Sequence, residues 1–224
     1  MPDFCPHRLT IVTGHYGTGK TEFSVNLALR MAEAGHRVMV ADLDIVNPYF
    51  RSRERKALLA SRGVKLISSS QACSDADVPA LPAELLCILE DRSVRGILDI
   101  GGDPVGARVL ARFRPRIQME DHQLLYVLNA NRPEVREKEA AIRYLRDIEA
   151  VTGLCCTGIV NNTHLCGETT PEEVRKGAAL AASVSLETGI PVVCHMVHQR
   201  FAGQLADLPQ PLFPITIQMK KPWE

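Results

Sequence analysis

The stretch LTIVTGHYGTGKTEF, residues 9–23, decides the fold class of this chain. Its apolar start, Leu9–Val12, predicts a buried strand, and the apolar residues spaced behind Thr21 predict an amphipathic helix. Between them lies a full match to the pattern G-x-x-x-x-G-K-[ST]. A glycine loop between a strand and a helix lets backbone N–H groups surround a phosphate at the positive end of the helix. The stretch therefore predicts a P-loop for a nucleoside triphosphate.

Two residues of this loop have expected roles of their own. The Lys20 ammonium is expected to reach the β- and γ-phosphates, and the Thr21 hydroxyl is expected to ligate Mg²⁺. The predicted nucleotide-binding residues of the loop are Gly14, His15, Tyr16, Gly17, Thr18, Gly19, Lys20 and Thr21.

The overall composition is that of an ordinary globular protein. Among 224 residues, 46% are apolar and 23% are charged, and Lys+Arg and Asp+Glu each number 26, so the net charge is zero. No global positive charge draws the chain to nucleic acid, and no apolar run approaches the ~18 residues of a membrane helix. The first residues lack a signal-peptide pattern, and the seven cysteines do not resemble a disulfide framework. We therefore expect a cytoplasmic protein with reduced thiols.

Strand-like apolar runs alternate with helical patterns along the chain. The predicted strands are Leu9–Val12, Arg37–Ala41, Val64–Ile67, Gly96–Ile100, Leu124–Leu128, Thr157–Val160 and Pro191–Val193, with Leu212–Ile217 as a further edge. The predicted helices are Thr21–Ala34, Arg53–Ser61, Pro82–Asp91, Val105–Arg112, Pro133–Thr152 and Pro171–Thr188. This alternation predicts a three-layer α/β/α P-loop NTPase fold with a mostly parallel sheet of about seven strands. We expect one nucleotide-binding domain over residues 1–224, with its ligand at the carboxyl ends of the strands.

Acidic residues follow two of the predicted strands. Asp42 and Asp44 come after the second strand, where an acid can hold Mg²⁺ through water or orient an attacking water. A solvated loop acid or a helix cap is the alternative for both. Asp99 ends the fourth strand, as a Walker B carboxylate does, and Gly102 behind it could bring a backbone N–H to the γ-phosphate.

The sixth predicted strand runs into two asparagines, Asn161 and Asn162. A side-chain amide presents a donor and an acceptor together, which matches the N6/N7 edge of adenine. The alternative is an asparagine that caps the turn after the strand. A guanine-reading N/T-K-x-D segment is absent here, which favours ATP over GTP.

These segments together resemble the MinD/ParA/nitrogenase-iron-protein group of P-loop ATPases, within the CobQ/CobB/MinD/ParA superfamily. The resemblance covers the chain from about Leu9 to Arg200, and Pro191–Val193 with Met196–Arg200 is similar to the strand and loop that flank the base. The roles that the resemblance implies are phosphate and Mg²⁺ binding for Lys20 and Thr21, water orientation for Asp44, the Walker B acid for Asp99, γ-phosphate sensing in switch II for Gly102, and adenine reading for Asn162.

The P-loop departs from that group at one position. The group carries a second lysine directly after the first glycine, and this lysine reaches the nucleotide of the partner subunit in a dimer. His15 occupies the position here, and an imidazole is shorter than a lysine side chain. Either His15 supplies part of that role in an ATP-dependent homodimer, or the protein uses no such lysine.

Three further segments, two with cysteines and one rich in basic residues, each have a structural and a functional interpretation. Cys155 and Cys156 could bridge a metal, but we expect small buried core residues, because neighbours in a strand point to opposite faces. The segment Cys194–His198 contains metal-ligand types without a second cluster at zinc spacing. The run Arg51–Lys56 is interpreted as a solvated helix start, with contact to phosphate or an acidic partner as the alternative.

The leading hypothesis is a slow Mg·ATP hydrolase that acts as a switch on a protein partner. In this interpretation Lys20, Asp44 and Asp99 are catalytic, and Thr21, Asp42 and Asp99 hold Mg²⁺, partly through water. Loss of the γ-phosphate would release the segments after the second and fourth strands. The alternatives are an ATP-dependent kinase or ligase of the dethiobiotin-synthetase or cobyrinate-amidase type, and a metal- or cluster-assembly NTPase.

Overall fold

The computed structural model describes residues 6–43, 55–68, 81–102 and 104–219. Strands and helices alternate along these residues. The strands are β1 (Leu9–Thr13), β2 (Val38–Leu43), β3 (Lys65–Ser68), β4 (Arg95–Ile100), β5 (His122–Leu128), β6 (Gly158–Asn161), β7 (Val192–His198) and β8 (Leu212–Ile215). The helices are α1 (Lys20–Glu33), α2 (Lys56–Ser61), α3 (Leu81–Glu90), α4 (Pro104–Gln118), α5 (Lys138–Thr152) and α6 (Pro171–Thr188). Short 3₁₀ helices span Cys166–Glu168 and Gln199–Gln204.

The eight strands form one sheet in the order β3-β2-β4-β1-β5-β6-β7-β8. Every pair of neighbouring strands is parallel. The fold class predicted from the sequence is therefore confirmed, and the further edge strand is present as β8. β1 lies between β4 and β5, so the chain winds away from it in both directions. Ligands of such sheets bind at the carboxyl ends of the strands next to this reversal.

Each face of the sheet is covered by its own apolar layer. Adjacent residues of β1 point into different layers. Ile11 belongs to the layer with α3, α4, α5 and α6. Val12 belongs to the layer with α1, α2 and β8. Side chains of a strand alternate between the faces, so strands that are apolar at successive positions are buried on both sides. The result is the predicted three-layer arrangement.

A proline and a glycine mark the two ends of α6. Pro171 is the first residue of α6, behind the N-cap Thr170, whose hydroxyl accepts a hydrogen bond from the Glu173 N–H. Gly189 ends the helix in the left-handed conformation with φ of 74°.

Three elements differ from their predicted bounds by five residues or more at one end. α5 begins at Lys138 rather than at Pro133, because residues 129–137 form turns beside the P-loop. α4 continues through the exposed Pro115 to Gln118, since the fully buried Ile117 packs in its last turn. β7 runs on to His198, because parallel pairing with β8 reaches that residue. In each case packing or pairing outweighs the local signal.

Candidate nucleotide-binding site

The loop between β1 and α1 is closed by hydrogen bonds to one carbonyl oxygen. The oxygen of His15 accepts from the Thr18 N–H at 3.2 Å, from the Thr18 hydroxyl at 2.9 Å and from the Lys20 ammonium at 3.3 Å. Gly19 precedes α1 with φ of 84°, and no side chain caps the helix. The first N–H groups of α1 are therefore not taken by a cap, as an anion site at a helix N-terminus requires.

A cavity of about 350 Å³ opens on this loop. The residues lining its loop side are Tyr16, Gly17, Gly19, Lys20 and Thr21. Lys20 is buried, with 6% of its surface exposed. A buried ammonium beside uncapped N–H groups makes this end of the cavity suited to a phosphate chain.

The two acids at the carboxyl ends of the central strands lie side by side. Asp42 of β2 is paired in register with Asp99 of β4, and both are buried. Carboxylate and hydroxyl oxygens are the ligands that Mg²⁺ prefers, and Thr21 supplies a hydroxyl in the first turn of α1. This oxygen donor set fits Mg²⁺. No cluster of three or more His, Cys, Asp or Glu side chains able to hold a metal occurs in the described part of the chain.

Gly102, two residues after β4, lies directly against the P-loop. A Cβ atom at this position would be 2.7 Å from the Tyr16 nitrogen and 2.8 Å from the Lys20 Nζ. Only a residue without a side chain fits so close to the loop. The structure therefore brings Gly102 to the Lys20 ammonium, the group expected at the β- and γ-phosphates.

The His15 ring points to side chains of the same subunit. It meets the Tyr144 ring of α5 edge-on, with 5.4 Å between ring centroids. Its Nδ1 atom lies 3.8 Å from a carboxylate oxygen of Glu134. The Tyr144 hydroxyl in turn donates a hydrogen bond to the Gly102 carbonyl oxygen. His15, Tyr144 and Gly102 are thus in one contact network.

Asn161, the last residue of β6, and Asn162, which follows it, have different surroundings. The Asn161 amide is fully buried, where it donates to the Val174 carbonyl oxygen and its oxygen accepts from Thr163. Asn162 lines the cavity, and its amide nitrogen donates to the Thr18 carbonyl oxygen at 2.8 Å. The Asn162 side chain therefore braces the P-loop while it faces the cavity.

The far end of the cavity is apolar. Its apolar side chains are Val174, Met196, Val197, Ile215, Ile217 and Met219. Glu22 of α1 also lines it, and its carboxylate accepts from the N–H groups of Gln218 and Met219 at 2.7 and 3.0 Å. Burial raises the pKa of Glu22. The bonds to this carboxylate fasten the C-terminal segment as one wall of the cavity.

A histidine and an arginine also line the cavity. Burial, together with the positive charge of Arg132, lowers the pKa of His164 to about 4, so this ring is neutral near pH 7. Its Nδ1 atom accepts a hydrogen bond from the Cys166 N–H at 3.3 Å. Arg132 comes from the loop between β5 and α5, and its Nε donates to the Gly17 carbonyl oxygen at 2.7 Å.

Other predicted residues lie elsewhere. Asp44 and most of the basic run before α2 fall outside the described residues. Cys156 is buried as expected, and burial raises the pKa of its thiol to about 12. The expectation of burial was wrong for Cys155, which is exposed: both cysteines lie in the segment before β6, and Cys156 is the one that packs in the core.

The segment Met196–Arg200 was expected to be a loop beside the base. Instead, Met196–His198 continues β7, and the chain leaves the strand only at Gln199. Cys194 and His195 of the same strand are fully buried. The Nε2 atom of His195 lies 2.9 Å from the Gln210 side-chain oxygen, and burial lowers the pKa of this histidine. Met196, Val197 and His198 nevertheless line the cavity.

Among the residues that line the cavity or contact the P-loop, those that escaped the sequence analysis include Glu22, Arg132, Tyr144 and His164. Arg132 had a usable signal, because Asn131-Arg132-Pro133 directly follows the strand next to β1. Tyr144 had no such signal in the sequence, since a single tyrosine in an amphipathic helix is normally interpreted as a core residue.

The comparison with known sequence families bears on this arrangement. The sequence pattern of the CbiA family, the CobQ/CobB/MinD/ParA nucleotide binding domain, matches residues 9–164, well over half of the chain. The chain belongs to this family. The match covers the P-loop, both strand-end acids, and Asn161 and Asn162 at the end of β6.

One protein relative is similar over a short segment. The cytosolic Fe-S cluster assembly factor NUBP2 homolog of Culex quinquefasciatus is 40% identical over 48 residues. That segment covers 21% of this chain and 19% of the mosquito protein.

Solved structures with a similar fold include two proteins of larger size. The cell division protein FtsY of Thermotoga maritima has a TM-score of 0.58 at 21% identity, over 88% of this chain and 63% of its own. The signal recognition particle 54 kDa protein of Aeropyrum pernix, solved in complex with GDP, has a TM-score of 0.56 at 23% identity, over 86% of this chain and 41% of its own. These similarities show the fold. Among the described residues, no helix has the length and apolar character needed to cross a membrane.

Proposed function

We propose that this domain binds Mg·ATP in the cavity beside α1, hydrolyses it slowly, and acts as a nucleotide-dependent switch on a protein partner. The observation that carries the proposal is the position of Gly102 against the P-loop and Lys20. A backbone segment this close to the phosphate end of a cavity can take one position when a γ-phosphate is present and another when it is absent.

We assign the parts that γ-phosphate hydrolysis needs to residues of the P-loop and of the strand ends beside it. Lys20 and the N–H groups of α1 would hold the phosphates, and Thr21, Asp42 and Asp99 would hold Mg²⁺, partly through water. The bound metal neutralises charge that develops on the phosphate oxygens. Asp44 is proposed to orient the attacking water, by its position in the sequence two residues after Asp42.

The base end favours adenine over guanine. Its apolar wall suits either purine, but a guanine reader needs a carboxylate with free acceptor positions for N1–H and N2–H. Glu22 is the acid that lines the cavity in the described chain, and its oxygens already accept from Gln218, Met219 and Asn26. The Asn162 side-chain oxygen is proposed as the group that reads the adenine edge.

A nucleotide-dependent switch needs a chain of contacts that links the phosphate site to the surface where a partner binds. Gly102 contacts Tyr144 of α5, and α5 packs on α4, the helix that follows Gly102 in the chain. Movement of Gly102 on loss of the γ-phosphate would alter the α4–α5 surface, which is where we place the partner. A homodimer is the further partner proposed, with His15 near its interface. Thiols that form no disulfide within the described residues, such as Cys155 and Cys156, suit the cytoplasm.

The test measures hydrolysis and size together. Wild type and His15→Lys are compared with ATP, GTP and ADP, with and without Mg²⁺, by phosphate release and by light scattering after size-exclusion chromatography. The proposal expects slow Mg²⁺-dependent hydrolysis of ATP, weaker hydrolysis of GTP, and more ATP-bound dimer in His15→Lys. Transfer of the γ-phosphate to an added carboxylic acid would instead assign the kinase or ligase class.

A second candidate function, cluster-assembly NTPase, is favoured by the short similarity to the NUBP2 homolog. It would require cysteines of two subunits to share a metal, and the exposed Cys155 is the first residue to examine. Anaerobic purification followed by iron and zinc analysis tests it. Stoichiometric metal that is lost in Cys155→Ser supports this function, and a metal-free protein contradicts it.

A further inference from the structure

Arg132 lies over the P-loop from outside the loop's own sequence. Its Nε donates to the Gly17 carbonyl oxygen at 2.7 Å. A Cβ atom at Gly17 would lie 2.5 Å from the central carbon of the guanidinium, so the group occupies the space that a side chain at Gly17 would fill. Gly17 has φ of 73°, which also favours glycine at this position.

The loop that carries Arg132 is fixed by its own hydrogen bonds. The Arg132 N–H donates to the Asn129 carbonyl oxygen at 3.1 Å, and the Val135 N–H donates to the Arg132 carbonyl oxygen at 3.0 Å. The Asn131 N–H donates to the Asn129 side-chain oxygen, and the Ala130 N–H donates to the Thr163 hydroxyl, both at 3.0 Å. The guanidinium is therefore held in place before any ligand binds, which lowers the entropic cost of using it.

The guanidinium has unused capacity for an anion. In the described part of the chain its one hydrogen bond is the one to Gly17, made by Nε, and no carboxylate pairs with it. The nearby Glu134 faces His15 instead. The positive charge reaches the cavity, since it contributes to lowering the pKa of His164. Arg132 and Lys20 both line the cavity, on the side of the P-loop.

We propose that Arg132 is a second phosphate-binding cation of this site, supplied by the same chain, whose Nη groups donate to the phosphates of the bound nucleotide. The P-loop of this protein contains one lysine, Lys20. A guanidinium held at Gly17 by Nε keeps its Nη donors for a charge-assisted, planar contact with phosphate oxygens. This inference rests on the proposed nucleotide binding and assigns a residue to its phosphate chain.

Two substitutions separate the charge of Arg132 from its hydrogen bond to Gly17. Arg132→Lys keeps the positive charge and loses the planar Nε donor. Arg132→Gln keeps an N–H donor for the Gly17 carbonyl oxygen and loses the charge. The control is Arg136→Gln, in the same loop, because the exposed Arg136 pairs with Glu137.

The experiment measures the affinity of each variant for ATP, ADP, AMP and adenosine by calorimetry, with the melting temperature of the ligand-free protein as the folding check. We expect Arg132→Gln to weaken ATP binding about tenfold or more, Arg132→Lys to weaken it less, and adenosine binding to change less than twofold. Arg136→Gln should bind ATP as wild type does.

Three results would overturn the role of Arg132 while leaving the proposed function intact. The first is wild-type ATP affinity in Arg132→Gln. The second is an equal loss for ATP and adenosine, and the third is a larger loss in Arg132→Lys than in Arg132→Gln, because either of these would mean that Arg132 acts only by bracing the loop. If wild type itself binds no nucleoside triphosphate, the proposed function fails instead.

Discussion

The hydroxyl of Tyr144 donates a hydrogen bond of 3.0 Å to the carbonyl oxygen of Gly102. The bond joins the middle of α5 to the loop after β4, and Gly102 in turn touches the P-loop. The Tyr144 ring is fixed on both sides, by the edge contact with His15 and by stacking on Tyr126 at 5.8 Å between centroids. The position of Gly102 beside Lys20 is therefore linked to a helix that reaches the surface.

Removal of this bond should slow hydrolysis more than it weakens binding. Tyr144→Phe keeps the ring contacts and deletes one neutral hydrogen bond, which contributes about 1 kcal/mol. We expect kcat for ATP to fall about fivefold while KM stays within about twofold, because Gly102 loses its support but Lys20 does not. Steady-state phosphate release measures both constants. A change in KM alone would contradict a role for Tyr144 in holding Gly102.

Tyr126→Phe is the matched control and carries a prediction of its own. The Tyr126 hydroxyl is buried and has no hydrogen-bond partner among the described residues, and burial raises its pKa well above the ordinary value. Because a buried hydroxyl without a partner costs free energy, its removal should leave stability unchanged or raise it by up to about 1 kcal/mol. Urea unfolding measures this. Destabilisation by more than about 1 kcal/mol would show that the Tyr126 hydroxyl makes a hydrogen bond in the folded protein.

The neutral His164 should make the protein less stable in mild acid. Its folded-state pKa is about 4, against 6.5 for an unperturbed histidine. As the pH falls from about 6.5 towards 4, the unfolded chain takes up a proton that the folded chain does not, so the free energy of unfolding decreases. The loss between pH 6.5 and pH 5 is up to about 2 kcal/mol.

His164→Asn isolates this contribution, because its side-chain oxygen can still accept from the Cys166 N–H. Denaturant unfolding of both proteins at the two pH values gives the difference. The variant should lose less stability on acidification than wild type does. Identical pH dependence would mean that His164 is protonated equally in the folded and unfolded states.

The sequence alone was sufficient to predict those elements whose signal is local or repeats along the chain. Alternating apolar runs located each strand and α-helix of the described residues, and the motif at Gly14–Thr21 located the loop on which the cavity opens. The predicted ends of helices and strands were wrong where strand pairing or core packing determines them. The hydrogen bonds of β7 with β8 extend that strand to His198, and the burial of Ile117 carries α4 past Pro115.

The parts of the site that depend on contacts between distant segments could not be predicted from the sequence. Glu22 looks like an ordinary acid in the first turn of a helix, and its bonds to residues 218–219 appear only when β8 returns to α1. Tyr144 and Arg132 meet the P-loop through packing of segments more than 100 residues away in the chain. No periodicity or spacing encodes such contacts, because they depend on the order of strands in the sheet.

Equilibrium binding of Mg·ATP to wild type and Lys20→Ala, with Lys65→Ala as the control, tests the central claim most directly. Lys65 is exposed at the start of the edge strand β3. We predict saturable binding of one ATP per chain in wild type and Lys65→Ala, and affinity reduced at least about tenfold in Lys20→Ala, because the charged hydrogen bond to phosphate is lost. Equal ATP affinity in wild type and Lys20→Ala would contradict the assignment of this loop as the nucleotide site.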